Sequence, residues 1–313
     1  MKVLVPTNWM EPIQQRLAQR NQLAQLVAFD AEHRGPFPGV EVFFRGDGAQ
    51  RWSEALAQAP QVRWVHTTSA GINGVLEETA PRGLTLTESG VVYRICIGEF
   101  VMGMILLAAK RLGTLWDQSR QEQWQWVQQD ELYGKTVGIV GLGPIGLGVA
   151  ERAKAFGMHV IGCRRTGQPI ENVTDVVSPH RLNELLERSD YVVLSLPLTD
   201  QSKGMLDSAA LSHMKPSAWL INIARGQLVN TDALMAALNE GRLAGVCTDV
   251  TDPEPLPPGH PLWKCPNTFI TPHTSPGHTT ALLQRKIDHF LDNLQRYQQG
   301  QPLEGLVQEH RGY

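Results

Sequence analysis

The sequence has little cysteine, no surplus of basic charge and no long apolar run. The four cysteines lie far apart without a CxxC pair, and the ten histidines form no HExxH motif, so we expect free, mostly buried thiols and no metal site. These cysteines are Cys96, Cys163, Cys247 and Cys265. The 28 basic residues are outnumbered by 31 acidic ones. This argues against a nucleic-acid partner, because neutralising phosphates takes a basic surplus.

The longest unbroken apolar run, residues 100–109, is about half of the roughly 20 residues that span a bilayer. The N-terminal residues MKVLVPTN are typical of a first strand and not of a signal peptide. We therefore expect a cytoplasmic protein without a membrane partner. With 42% hydrophobic and 19% charged residues, the 313-residue chain can bury a core, and its length suggests about two domains.

The first ninety residues alternate short apolar runs with helical segments such as residues 12–28. The runs at 3–5, 40–44 and 62–67 are predicted strands, and this alternation is typical of a parallel sheet with crossover helices. The loop 68–73 follows the third run. Ligands of open α/β sheets bind beyond the carboxyl ends of the strands, so this loop is a candidate substrate contact. A plain glycine-containing turn is the alternative.

Two long helices are predicted, one from residue 98 to about 116 and one from about 280 to 299. Between them, six apolar runs alternate with helical segments, as in a complete doubly wound sheet. These runs are residues 136–140, 159–162, 191–196, 219–223, 245–249 and 268–271. The predicted fold class is α/β, with two doubly wound parallel-sheet domains, one inserted into the other. The inserted domain spans 98–280, and residues 1–97 with 281–313 form the other.

A glycine motif, GxGxxG, follows the strand at 136–140 and precedes a helical segment. Gly141 allows a tight turn, Gly143 lets the backbone approach a pyrophosphate, and Gly146 lets the helix pack on the sheet. The helix start would add amide donors, although Pro144 has none. The motif predicts a Rossmann dinucleotide site, with a structural glycine turn as the alternative.

The end of the next strand carries arginines where a carboxylate would select NAD. In NAD sites an acidic residue about 20 positions on binds the ribose 2′-hydroxyl. Here Arg164, Arg165 and Thr166 occupy this region, with no acid. Guanidinium groups suit a 2′-phosphate, which predicts a preference for NADP(H), with NAD(H) also possible. Two solvated surface arginines are the alternative.

Three further polar groups follow predicted strands, namely Arg225, Glu254 and His273. Each alone could be an ordinary surface or turn residue. Together they supply what the reduction of a 2-oxo acid needs. A guanidinium holds the substrate carboxylate, a histidine delivers a proton to the oxygen, and a carboxylate orients that histidine and favours its charged form.

Several stretches extend this pattern across residues 133–276. They read YGKTVGIVGLGPIG, SLPLTDQSKGML, LINIARGQLVNTDALMAALNEGRLAGVCTDV, DPEPLP and FITPHTSP. In order and spacing the sequence resembles the D-isomer-specific 2-hydroxyacid dehydrogenase family. Within the family it is most similar to the glyoxylate/hydroxypyruvate reductase-like branch.

The resemblance implies a role for each matching residue. Arg225 would bind the substrate, Glu254 would partner the acid/base His273, and Asp249 would lie near the nicotinamide carboxamide. The backbone amides of the loop Ser69, Ala70 and Gly71 would receive the substrate carboxylate. Further cofactor contacts are implied for Ile145, Pro197, Ala224 and Ser275. The resemblance also implies a Rossmann domain inserted into a flavodoxin-like substrate domain, an active site in the cleft between domains, and a homodimer formed through the inserted domain.

Two other functions stay open at this point. One is a non-catalytic dinucleotide sensor on the same fold, and the other is a dehydrogenase for a specialised substrate such as phosphoglycerate. A tryptophan cluster, Trp116, Trp124 and Trp126, is expected in the core or at a dimer interface and less readily in substrate stacking. His66 is expected to be an ordinary packing or surface residue.

Overall fold

The computed structural model describes residues 1–33, 35–72, 74–166 and 168–308. The chain divides into two compact units. The first unit combines residues 1–93 with the C-terminal segment from His278, and the second unit is Arg94–Gly277. The functional domain boundaries expected from the sequence, at 97/98 and 280/281, stay a prediction.

The described residues form twelve strands and ten α-helices. The strands are β1 (Lys2–Pro6), β2 (Gln25–Phe29), β3 (Val40–Arg45), β4 (Trp64–Thr67), β5 (Thr85–Thr87), β6 (Thr136–Val140), β7 (His159–Cys163), β8 (Asp175–Val177), β9 (Tyr191–Leu194), β10 (Trp219–Asn222), β11 (Gly245–Thr248) and β12 (Thr268–Ile270). The helices are α1 (Thr7–Gln19), α2 (Trp52–Ala57), α3 (Val75–Thr79), α4 (Arg94–Ala109), α5 (Leu112–Arg120), α6 (Pro144–Ala155), α7 (Leu182–Arg188), α8 (Ser208–Ser212), α9 (Thr231–Asn239) and α10 (Thr280–Gln298).

The first unit is built on a five-stranded parallel sheet in the order β2-β1-β3-β4-β5. This is the flavodoxin-like order, as the sequence predicted. Helix α10 begins where the Thr279 side chain accepts a hydrogen bond from the Leu282 amide at 3.1 Å. Its apolar positions recur at helical spacing, so Ile287 and Phe290 pack into the core on one face of the sheet.

The second unit is built on a seven-stranded parallel sheet in the order β12-β11-β10-β9-β6-β7-β8. Counted from β6, this is the Rossmann order with a seventh strand added, which confirms the predicted doubly wound fold. Strands β9 and β11 are buried along their whole length, as expected for parallel strands covered on both faces. The carboxyl ends of β6, β7, β10, β11 and β12 therefore lie at one edge of the sheet.

Several elements differ from the prediction. The segment 12–28 is not one helix, because α1 ends at Gln19 and residues 25–29 form β2. The second sheet has seven strands and not six, since β8 was not predicted. Strands β5 and β8 have three residues each, too few for an apolar alternation to be recognised.

The first of the two long predicted helices is interrupted. Helix α4 ends at Ala109, and Arg111 adopts a left-handed backbone (φ 52°) before α5 begins at Leu112. The helical stretch Gly90–Ala109 is long and apolar enough to cross a membrane by length and composition alone, with a mean hydropathy of 1.9. Half of it is buried, as in the core helix of a globular fold.

Candidate functional site

The turn after β6 has the shape that a dinucleotide pyrophosphate requires. Gly141 adopts φ 101°, and a Cβ there would lie 2.6 Å from the Ser195 carbonyl oxygen, so only glycine fits. A Cβ on Gly146 would lie 2.0 Å from the Gly141 carbonyl oxygen. A Cβ on Gly143 would meet no described atom within 4 Å, which leaves open space beside the start of α6. Pro144 and Ile145 begin this helix, and the first-turn amides have no intrahelical acceptor.

The residues after β7 lie at the same edge of the sheet. The Arg164 amide donates to the Val177 carbonyl of β8 at 3.1 Å, so the missed strand β8 fixes where this arginine leaves the sheet. Arg164 is partly exposed, and Arg165 and Thr166 are exposed. Cys163 is buried, which raises the pKa of its thiol to about 11 and keeps it neutral. Two cationic side chains thus follow the carboxyl end of β7, and their contact with a ribose phosphate stays a prediction.

Arg225 is held at the end of β10 by the strand itself. The Asn222 side chain donates to the Arg225 carbonyl at 2.9 Å and accepts from the Ala224 amide at 3.0 Å. The Arg225 guanidinium donates to the Ala224 carbonyl at 2.6 Å. Burial lowers the pKa of Arg225, and the charge of Glu254 partly offsets this effect. The guanidinium is therefore a desolvated cation near a carboxylate.

His273 and Glu254 form a direct pair. The His273 Nδ1 lies 2.6 Å from Glu254 Oε1, and the two side chains keep 41% and 39% of their surface exposed. His273 itself has a left-handed backbone (φ 50°), and its amide donates to the Asp249 carbonyl at 2.8 Å. The Nδ1 contact directs the other ring nitrogen, Nε2, away from the glutamate. The structure thus brings Glu254 and His273 together, with Arg225 within range of the glutamate charge.

The Asp249 side chain is bonded to the loop that carries His273. Its buried carboxylate accepts from the Thr271 hydroxyl at 2.5 Å and from the Thr274 and Ser275 amides at 2.8 Å each. These bonds tie it to both sides of His273. Asp249 is an anchor of the histidine loop, a role that the sequence analysis missed because it depends on a contact 22 to 26 residues away. A contact with the nicotinamide stays a prediction.

Three other predicted cofactor contacts occupy different settings at the strand ends. Ala224 is buried after β10, and Ser275 is buried in the loop after β12. Pro197 is exposed after β9, and its carbonyl accepts from the Ser202 hydroxyl at 2.8 Å. Their roles toward the cofactor stay predictions.

The predicted substrate loop belongs to the first unit, where it follows β4. The Ser89 amide donates to the Ser69 carbonyl at 3.4 Å, and the Tyr93 hydroxyl donates to the Thr68 carbonyl at 2.6 Å. Ala70 is exposed, and among the described residues no acceptor receives a hydrogen bond from the Ala70 or Gly71 amide. A fixed loop with two unused amides can receive an anion.

Comparisons with known proteins fit this geometry. The family model described as "D-isomer specific 2-hydroxyacid dehydrogenase, NAD binding domain" matches residues 102–275, more than half of the chain. The chain belongs to the D-isomer-specific 2-hydroxyacid dehydrogenase family. It is accordingly an NAD(P)-dependent dehydrogenase whose second unit binds a nicotinamide dinucleotide, as the sequence predicted.

Similar proteins include members of the predicted branch. A glyoxylate reductase of Thermofilum pendens is 34% identical over 82% of this chain and 77% of its own length. A glyoxylate/hydroxypyruvate reductase A of Yersinia enterocolitica is 30% identical over 90% of this chain and 94% of its own. The crystal structure of an NADPH-dependent glyoxylate/hydroxypyruvate reductase from Sinorhizobium meliloti, in complex with NADP and sulfate, superposes with a TM-score of 0.84. That protein is 25% identical, and the match covers 100% of this chain and 99% of the other.

The glycine cradle fits a dinucleotide on the structural evidence alone. The space in front of Gly143 and the unused amides at the start of α6 suit a pyrophosphate. For a metal the described residues offer no comparable set, because no group of three or more histidine, cysteine or acidic side chains is placed to hold an ion.

Proposed function

We propose that this enzyme reduces a small 2-oxo acid to the D-2-hydroxy acid, with NADPH preferred over NADH. The observation that carries the proposal is the 2.6 Å pair of His273 and Glu254 near the half-buried Arg225, at the sheet edge that also carries the glycine cradle. A site built solely to sense a dinucleotide has no use for an acid/base pair with a neighbouring guanidinium. Glyoxylate and hydroxypyruvate are the first candidate substrates, by similarity to the relatives named above.

Each side chain has a defined task in the proposed reaction. Arg225 binds the substrate carboxylate and polarises the 2-oxo group, since a desolvated guanidinium gains most from a new anionic partner. Protonated His273 donates the proton from Nε2 to the 2-oxo oxygen, and Glu254 on Nδ1 fixes the ring and stabilises its positive charge. The bound nicotinamide supplies the hydride for the 2-carbon. Asp249 keeps the histidine loop in place through its bonds to Thr274 and Ser275.

The preference for NADPH rests on the residues that follow β7. Arg164 leaves the sheet at the position where an NAD-selecting site has a carboxylate. Arg165 adds a second guanidinium, and Thr166 adds a hydroxyl. The Sinorhizobium relative is NADPH-dependent by its description, which supports the assignment. The roles of Ala70 and Gly71 in receiving the substrate carboxylate are proposed on their two unused amides. The Ser69 amide already donates to the Thr67 hydroxyl at 3.3 Å, so the same role for Ser69 rests on the family resemblance alone.

We further propose a homodimer formed through the second unit. Helix α5 has no buried residue, and its Trp116 is 67% exposed. Trp124 and Trp126, which follow the helix, are fully exposed and 82% exposed. A nine-residue helix without burial is unstable alone, and exposed tryptophans of this kind belong to interfaces. Because all three tryptophans are exposed, they do not lie in the core, which was one of the two positions expected for this cluster. Sedimentation velocity checks the dimer, and a monomer at micromolar concentration would contradict it.

The proposed setting is the cytoplasm, with a small-molecule 2-oxo acid and the dinucleotide as partners and neither nucleic acid nor membrane involved. The excess of acidic over basic residues argues against a nucleic-acid partner.

The test is turnover, followed by absorbance of the reduced nicotinamide, with a panel of 2-oxo acids and both cofactors. For His273→Ala we expect kcat to fall by ~10²–10⁴, the range for loss of a general acid, with NADPH affinity little changed. A matched control exists in the same unit, because His213 Nδ1 lies 2.7 Å from Glu187 Oε1 in an equivalent exposed pair. His213→Ala should keep wild-type turnover.

Two results would contradict the proposal. An active His273→Ala variant would remove His273 from the acid/base role. Wild-type protein that binds NADPH but reduces no member of the panel would favour a dinucleotide sensor, or a dehydrogenase for a substrate outside the panel.

A further inference from the structure

Arg45, at the carboxyl end of β3, is a cation with no anionic partner. Its guanidinium donates from one terminal nitrogen to the Thr67 hydroxyl at 3.2 Å and to the Ser69 hydroxyl at 3.4 Å. Its Nε is shielded from solvent and has no hydrogen-bond partner among the described residues. Within the described ranges no carboxylate forms an ion pair with it. Neutral hydroxyls offset little of the free-energy cost of partly desolvating a charge, so this guanidinium would be stabilised by an anionic ligand.

Lys286, a buried cation of the same unit, has a direct carboxylate partner. Lys286 forms an ion pair with Asp47, whose second oxygen accepts from the Thr68 hydroxyl at 2.5 Å. Asp47 is therefore neutralised by Lys286. Its field reaches Arg45 and partly offsets the effect of burial, which lowers the pKa of the guanidinium. Among the described residues, however, no carboxylate is in direct contact with the Arg45 guanidinium.

The side chain is held in a fixed position. Its guanidinium carbon lies 5.2 Å from the centroid of the Trp52 ring, a cation–π contact. Trp52 packs in turn against Phe43 at 6.3 Å between ring centroids. With the ring on one side and Thr67 and Ser69 on the other, the guanidinium is preorganised beside the proposed substrate loop, at a cost already met in folding.

We propose that Arg45 binds a second carboxylate of the substrate, so that the preferred substrates are 2-oxo dicarboxylic acids. The inference rests on the proposed function, in which the loop at Ser69 receives the substrate. One guanidinium with two hydroxyls matches the single charge of a carboxylate. A phosphate dianion would exceed the one free positive charge, which argues against a phosphorylated substrate.

The test compares a diacid with its uncharged counterpart of equal chain length. For 2-oxoglutarate against 2-oxovalerate, we expect the wild-type ratio of kcat/KM values to favour the diacid. In Arg45→Met that ratio should fall roughly 10- to 100-fold, the range for a hydrogen bond to a charged group. Arg45→Lys should recover part of it. Arg51→Met is the control, because Arg51 is an exposed cation paired with Glu54, and its removal should leave the ratio in place.

The outcomes separate this inference from the function on which it rests. Wild-type enzyme that reduces 2-oxovalerate as well as 2-oxoglutarate overturns the second carboxylate site and leaves the reductase intact. An equal loss on both substrates in Arg45→Met also overturns it, since Arg45 would then serve the reacting carboxylate or the loop. If the enzyme prefers 3-phosphonopyruvate over both substrates, the second carboxylate is the wrong ligand, and Arg45 binds a phosphonate-type group instead. Absence of turnover with every 2-oxo acid refutes the proposed function itself.

Discussion

The glycine cradle makes a quantitative prediction, because two of its glycines differ in what an added methyl group would meet. In Gly146→Ala the new Cβ would lie 2.0 Å from the Gly141 carbonyl oxygen and 2.8 Å from the Ser195 hydroxyl. Ordinary contact begins near 3.4 Å, so helix α6 must move by more than 1 Å from the strand that precedes it. Overpacking of this kind costs ~1–3 kcal/mol or more. For a unit of this size we expect the melting temperature to fall by roughly 2–12 °C.

Gly143→Ala is the matched control. Its Cβ meets no described atom within 4 Å, and its φ of −76° suits any residue. The cost to stability should stay below ~1 kcal/mol, set by the poorer helix capping of alanine. The same Cβ would occupy the space proposed for the pyrophosphate, so NADPH affinity should fall about 10-fold or more.

Thermal unfolding and a fluorescence titration with NADPH measure both effects. The expected pattern is a stability defect in Gly146→Ala and a binding defect at nearly normal stability in Gly143→Ala. If Gly146→Ala melts within 1 °C of the wild type, the steric argument is wrong. If Gly143→Ala binds NADPH normally, the pyrophosphate does not approach this glycine.

Two further predictions concern the cofactor and pH. In Arg164→Ala with Arg165→Ala, the ratio of kcat/KM with NADPH to that with NADH should fall by ~10², and an unchanged ratio would refute the assigned 2′-phosphate contact. Burial raises the pKa of Glu88 from 4.5 to about 7, so the folded protein holds a proton that the unfolded chain releases between these values. The contribution of Glu88 to the free energy of unfolding is fully present below pH 4.5. It decreases by up to ~3 kcal/mol as pH rises to 7. Urea unfolding of Glu88→Gln should therefore show a smaller loss between pH 5 and pH 8 than the wild type, and parallel curves would contradict this reasoning.

The sequence predicted the parts of the site that depend on local pattern. The glycine spacing after a Val/Ile strand specifies a turn and a helix start that few other arrangements satisfy, and the structure has both at Gly141 and Pro144. The polar residues after apolar strands were also predictable, because parallel strands end at one edge. Arg225, Glu254 and His273 lie on that edge for this reason.

What the sequence could not predict depends on contacts between distant segments. The role of Asp249 as an anchor requires Thr274 and Ser275 to fold back onto it. The isolation of Arg45 becomes visible only when Lys286, over 200 residues away, is seen to neutralise Asp47. For His66 the sequence left packing and surface positions open, and the structure has it fully buried, with its ring nitrogens bonded to the hydroxyls of Thr87 and Ser89. None of these contacts can be predicted from a local sequence pattern.

One chain of bonds connects two of the three proposed catalytic positions, Arg225 and His273. The Asn222 side chain donates to the Arg225 carbonyl, and the Asn222 carbonyl accepts from the Asp249 amide at 2.9 Å. The Asp249 carbonyl then accepts from the His273 amide. The spacing of Arg225 and His273 is thus set by the register of β10, β11 and β12, and Glu254 enters from the loop between the last two strands. Because that register is fixed by strands buried in the sheet, the acid and the guanidinium are positioned by the fold before substrate arrives.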